Sequence, residues 1–152
     1  IISQVKVTIN SEDTSRKLYD KLIAKAQKQI TVIINQLTND SLSLTPQNNS
    51  EANIWRKRNF IDGEIDWRMA ASNIHSLVRA LTRPYPGAHC YIGNTQFKIW
   101  ETKISEIKLD SIEPGKILNI KKNKITVSCG SSESIIILKH EIEPLPSIGQ
   151  YL

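Results

Sequence analysis

Apolar residues recur at spacings of three and four from Leu18 through Leu22, Ile23, Ala26, Ile30, Ile33, Ile34 and Leu37. That pattern predicts one long amphipathic helix ending near Asn39. Ser11 and Thr14, with Glu12 and Asp13 between them, offer alternative N-caps and place acids where a helix start favours them. Lys17, Lys21, Lys25 and Lys28 lie off the stripe and read as a solvated face. Ahead of the helix, Val5, Val7 and Ile9 alternate with polar residues, as a half-buried strand would. After it, residues 46–53 lose almost all apolar character and read as a linker of Pro, Gln, Asn, Ser and Glu.

A second helical stripe runs through Ala70, Ala71, Ile74, Leu77, Val78 and Leu81. Asp62-Gly63 marks a turn before it, Asp66 is placed to cap a helix starting near Arg68, and Arg83-Pro84 ends it. Pro84 and Pro86 hold Tyr85 in an extended corner, and Gly87 is free to take a positive φ. From there on the pattern is that of strands: 89–92 and 96–107 as a hairpin about Gly93-Asn94, then 117–120, 124–129 and 134–143. Short strands at this spacing suit a small closed or partly open antiparallel barrel.

Composition adds bounds. A chain of 152 residues holds one domain, or a small domain with an appendage. Cys90 and Cys129 sit in strand-like runs and read as buried free thiols. No apolar run is long enough to span a membrane. The net charge of +5 is spread over the chain, with two local clusters: Arg56-Lys57-Arg58, and Lys121-Lys122-Asn123-Lys124 at a hairpin tip. The lysines read as a solvated turn, whereas Arg58 and its neighbours carry guanidinium groups suited to bidentate phosphate contact. His75, His89 and His140 lack the partners of a general base and read as packed or capping residues. The cysteines and histidines have no zinc-type spacing, and no phosphate-cradling glycine loop is present.

DGEIDW (Asp62 to Trp67) and HSLVRALTRPYPGA (His75 to Ala88) resemble the start of the C-terminal domain of the formyltransferase family. That family includes methionyl-tRNA formyltransferase and the N-formyltransferases of nucleotide-linked amino sugars. The resemblance implies an α+β chain in three parts: residues 1–45 as the last strand and helix of a Rossmann-like catalytic domain, 46–53 as linker, and 54–152 as an OB-like antiparallel β-barrel. It places the family's catalytic Asn, His and Asp ahead of Ile1, so the chain alone is expected to be inactive. It implies a catalytic domain as partner and 10-formyltetrahydrofolate as donor for a longer cytoplasmic parent, with no cofactor or metal held by this part. Asp62, Asp66, Trp67, Arg79, Arg83 and Tyr85 then fall where the C-terminal domain meets the catalytic domain, and with Arg58 they are the substrate- or interface-facing candidates.

Two substrate classes follow from the resemblance. A transfer-RNA enzyme needs a barrel and linker that present cations to a phosphate backbone. This chain instead spreads acids from Glu101 to Glu143 through its strands, and Tyr91 to Trp100 resembles the hairpin of the sugar enzymes, so a nucleotide-linked amino sugar is the preferred substrate and tRNA the alternative. A stand-alone OB-like binding module is the non-enzyme reading. It would need exposed stacking rings in a basic groove.

Overall fold

The computed structural model describes residues 1–107 and 110–152. The chain divides into two compact units, Ile1–Arg58 and Asn59–Leu152. In the first, α1 spans Ser15–Thr38. Of the two candidate caps, Thr14 is used: its hydroxyl accepts the Lys17 N–H, while Asn39 closes the far end. Asp13 is nearly enclosed, taking the Asn10 N–H at 2.8 Å and the Lys21 ammonium at 2.5 Å. The lysine bond, followed by the Asn10 bond, holds this carboxyl below the usual aspartate value.

The expected strand through Val5, Val7 and Ile9 is not formed, and residues 1–10 carry no regular structure. A lone extended segment has no neighbour for its N–H and C=O groups, so alternation of side chains by itself does not make a strand. The helical stripe is present as a face without a cover: α1 buries none of its residues, and Ile30, Ile34 and Leu37 are each more than half exposed.

The second unit is a five-stranded antiparallel sheet with one helix. Its strands are β1 (Ala88–Ile92), β2 (Thr95–Ile104), β3 (Ile117–Lys121), β4 (Lys124–Ser128) and β5 (Ser134–His140), in the order β1-β2-β5-β4-β3. α2 (Ala71–Leu81) packs chiefly on β2. The sheet is open, with β1 and β3 as its two edges among the described residues, so of the closed and partly open forms expected the closed one is not formed. Each edge is met by a local segment instead of by the other edge. Glu64 bridges His89 in parallel, with Ile65 N–H donating to the His89 carbonyl at 2.8 Å, and Lys116 at the head of β3 bridges Tyr151. Pairing of this kind quenches an edge without closing the sheet.

The core is one layer of β-branched side chains under the helix. Ile74 and Val78 of α2 meet Ile99, Ile125, Val127, Ile135 and Ile137 of the sheet, all fully buried. Cys90 and Cys129 join this cluster as free thiols, each pushed up to about 12 chiefly by burial, which keeps them protonated and unreactive.

Candidate functional site

The segment from Asn59 to Gly87 precedes β1 and carries α2, and its local bonds place most of the candidate residues. A 3₁₀ turn, Phe60–Gly63, opens it. Asn59 accepts the Ile61 N–H at 3.0 Å and the Asp62 carboxylate accepts the Asn59 N–H at 2.7 Å, a reciprocal cap that engages Asp62 within its own turn. Phe60 stacks on the His89 ring at 4.5 Å, and a Cβ on Gly63 would stand 3.3 Å from His89 Nδ1, so the turn lies tightly on that imidazole.

His89 is 1% exposed, and its Nε2 has no hydrogen-bond partner among the described residues. Burial first, then the charge of Lys98, lowers its pKa below the usual histidine value. The folded chain therefore holds His89 neutral, while the unfolded chain takes up a proton below about pH 6.5. Stability is then full above that value and declines as pH falls beneath it. The denaturation midpoint should drop between pH 7.5 and 5.5, and His89→Phe should flatten that drop; equal drops in both proteins would show that His89 is not responsible.

Asp66 does not cap α2. Its carboxylate accepts the Arg68 N–H at 3.0 Å and the Arg68 guanidinium through two bonds of 2.8 and 2.7 Å, because Arg68 lies on the next turn of chain and outcompetes a more distant helix start. The Arg68 side chain is the main reason the Asp66 carboxyl is lowered to about 2. Its contribution to stability is present above about pH 4 and is lost as pH falls through about 2. The helix begins at Ala71, after a residue with no capping side chain, and its first N–H is taken by the Glu133 carboxylate at 2.8 Å from the β4–β5 connection. Glu133→Ala should cost about 1 kcal/mol, measured by urea unfolding; an unchanged midpoint would show that packing alone holds the helix start.

Trp67 is 7% exposed and belongs to the core of its own unit. Along α2, His75 Nδ1 meets the Thr102 hydroxyl at 3.0 Å, and Arg79 donates to Ser76 at 3.4 Å. Past the helix, Tyr85 is half exposed, and the Arg83 guanidinium lies 4.7 Å from the centre of the Trp100 ring. The arginine–aromatic pair of this corner is thus Arg83 with Trp100. Gly87 takes φ +84 with its Cα against the same ring; a Cβ there would stand 2.9 Å from it. Trp100 Nε1 donates to Glu141 at 2.9 Å. Beside this stack is a cleft of about 380 Å³ lined by Arg83, Trp100, Asn123, Lys139 and His140 among others. Ile142 N–H donates to His140 Nδ1, so Nε2 carries the proton donated to the Asn123 carbonyl at 2.8 Å.

The candidates therefore divide. Asp62 and Asp66 brace turns, Trp67 fills the core, Arg83 borders the cleft, Arg79 and Tyr85 flank the corner, and Arg58 ends the first unit. All three histidines are engaged: His75 with the Thr102 hydroxyl, His89 in the Phe60 stack, and His140 in backbone bonds. Among the described residues no group of His, Cys, Asp and Glu could hold a metal, and no helix is long and apolar enough to cross a membrane. Sequence reading missed Gly130. Its N–H donates to both the Trp67 and Met69 carbonyls at 3.0 Å, and a Cβ would fall 1.9 Å from the Arg68 oxygen. A glycine before two serines signals a turn, and nothing local marks which distant backbone it meets.

This architecture, a single helix and a capped entry segment on an open antiparallel sheet, is of the α+β class. The sequence pattern of the family described as formyl transferase, C-terminal domain, matches residues 60–145, and the chain belongs to that family. Two solved structures share the fold. One is an N-formyltransferase from Helicobacter canadensis in complex with folinic acid and dTDP-3-aminofucose: 20% identity, TM-score 0.64, covering 90% of this chain and 48% of that one. The other is WlaRD, a sugar 3N-formyl transferase in the presence of dTDP and 5-N-formyl-THF: 20% identity, TM-score 0.56, covering 84% of this chain and 44% of that one. The chain thus spans about half the length of these two proteins.

Proposed function

We propose that this chain is the C-terminal part of a 10-formyltetrahydrofolate-dependent N-formyltransferase that formylates the amine of a nucleotide-linked amino sugar. In this reading residues 1–45 close the catalytic domain, residues 46–53 link it to the family domain, and residues 54–152 brace it. The carrying observation is the family match over residues 60–145, and the substrate class is drawn from the two solved relatives, each solved with a folate and a dTDP ligand. The engagement of His75 by the Thr102 hydroxyl, of His89 in the Phe60 stack and of His140 in backbone bonds supports a domain that positions a catalytic partner instead of performing the transfer. Asp62, Asp66, Arg79, Arg83 and Tyr85 are the residues we assign to the joint with that partner, and two buried free thiols fit a reducing cytoplasmic setting.

The chain alone should show no formyl transfer from 10-formyltetrahydrofolate to any amine above the uncatalysed rate; turnover would overturn the assignment of the transfer centre to a partner domain. Its affinity for tRNA should be weak and should vanish quickly with salt, because the exposed cations of Lys121, Lys122 and Lys124 form one small cluster. Tight binding with a steep salt slope, abolished by changing those three lysines to Glu, would replace the sugar substrate with tRNA.

A further inference from the structure

We propose that His89 is a proton-operated latch: taking up one proton on its imidazole frees the turn Asn59–Glu64 from the β1 edge while the core of the unit stays folded. Ala88 and Cys90 on either side of it lie in the core cluster, so alternation along β1 turns His89 to the other face of the strand. Its cover there is thin. The Phe60 ring lies on the imidazole at 4.5 Å, and Gly63 fits so closely that a Cβ would stand 3.3 Å from His89 Nδ1 and 3.4 Å from Leu81. Phe60 and Ile61 are themselves 57% and 69% exposed, so lifting the turn uncovers the imidazole without opening the layer of Ile99, Ile135 and Ile137. The turn can also move as a piece. Asn59 and Asp62 cap one another, and the Asp62 and Glu64 N–H groups donate to the Asn59 and Ile61 carbonyls at 3.2 and 3.1 Å, bonds that travel with it. Its hold on the strand includes the Phe60 stack and the bridge from Glu64 to His89, in which Ile65 N–H donates to the His89 carbonyl at 2.8 Å. Beyond it, the buried Ile65 and Trp67 side chains anchor the chain.

Charge sets the direction. With the turn closed, His89 Nε2 has no hydrogen-bond partner among the described residues, so a proton there leaves a buried imidazolium with no acceptor from the chain. Lys98, opposite His89 on β2, disfavours that cation, whereas Glu64 on the turn and the π face of Phe60 favour it. Asp62 is held in the turn's own cap, and the Tyr91 ring meets the imidazole edge-on at 5.8 Å. Burial is the largest of these effects, and lifting the turn removes it by letting the imidazole meet solvent. The open form therefore binds the proton more tightly than the closed one. Between the ordinary histidine value of about 6.5 and the lower value of the closed form, the ratio of open to closed rises about tenfold for each pH unit lost; above about 6.5 the latch is shut.

The test is nuclear magnetic resonance of the isotope-labelled full chain from about pH 7.5 to about 5, the window in which an imidazole titrates. The His89 Cε1 resonance follows proton uptake, the amides of Asn59–Ile65 follow the turn, and the amides of Ile99, Ile125 and Ile137 follow the core. The turn amides should shift with the same midpoint as His89. Hydrogen-exchange protection of Ile65 N–H should fall about tenfold per pH unit beyond the intrinsic dependence of exchange, while the three core amides keep theirs. His89→Phe should abolish the pH response of the turn. Lys98→Met, which leaves the histidine in place and removes the opposing charge, should move the midpoints of His89 and of the turn upward together. Proton uptake by His89 with the turn amides unmoved would overturn the proposal, as would loss of core protection in step with Ile65, which is unfolding of the whole unit. A turn that responds to pH equally in His89→Phe, or midpoints unmoved in Lys98→Met, would overturn it as well.

Discussion

Trp67→Ala is expected to destabilise the Asn59–Leu152 unit by roughly 3–5 kcal/mol in urea unfolding of the whole chain, the range for deleting a buried large aromatic ring. The ring is 7% exposed and flanks the glycine over which Leu152 passes, so its loss leaves a void between the entry segment and the β3 edge. Because those contacts lie within the unit, the full loss should appear in this chain without any partner domain. A loss below about 1 kcal/mol, the size of a surface change, would mean that the ring is not held in this core.

Gly130→Ala is the second large effect, expected at about 3 kcal/mol or more, beyond the ordinary overpacking penalty because the clash is with backbone. A methyl at this position would lie 1.9 Å from the Arg68 oxygen and 2.7 Å from the Arg68 carbonyl carbon. Relief requires separating two chain segments, which breaks the bifurcated bond from Gly130 N–H to the Trp67 and Met69 carbonyls. It should also pull Glu133 away from Ala71 and weaken the start of α2. Urea unfolding with far-ultraviolet circular dichroism measures both consequences, and a midpoint unchanged from wild type would show that this contact is not tight.

Local rules made the helices and strands legible in the sequence. The 3.6-residue stripe located α1 and α2, the Gly93-Asn94 turn located the β1–β2 hairpin, and the three later strands fell where β-branched residues alternate between turns. What failed depended on partners far along the chain. Val5, Val7 and Ile9 have strand periodicity and no neighbouring strand. Asp66 has the composition of a helix cap, but Arg68 lies nearer, and α2 takes its acid from Glu133, 62 residues away in sequence. Sheet closure was likewise beyond reach, because strand count says nothing of whether an edge meets the opposite edge or a passing segment such as Glu64–Ile65. In the candidate region, turn chemistry marked Asp62, Asp66 and Gly87, whereas the Arg83–Trp100 stack and the Gly130 contact exist only in three dimensions.

The most direct measurement is a formyl-transfer assay on the protein expressed from its complete coding sequence, with 10-formyltetrahydrofolate as donor and nucleotide-linked amino sugars or charged methionyl-tRNA as competing acceptors, products read by mass spectrometry. The account predicts a formamide on the sugar amine and none on the methionyl-tRNA. Formylation of methionyl-tRNA alone, or of neither acceptor, would contradict it.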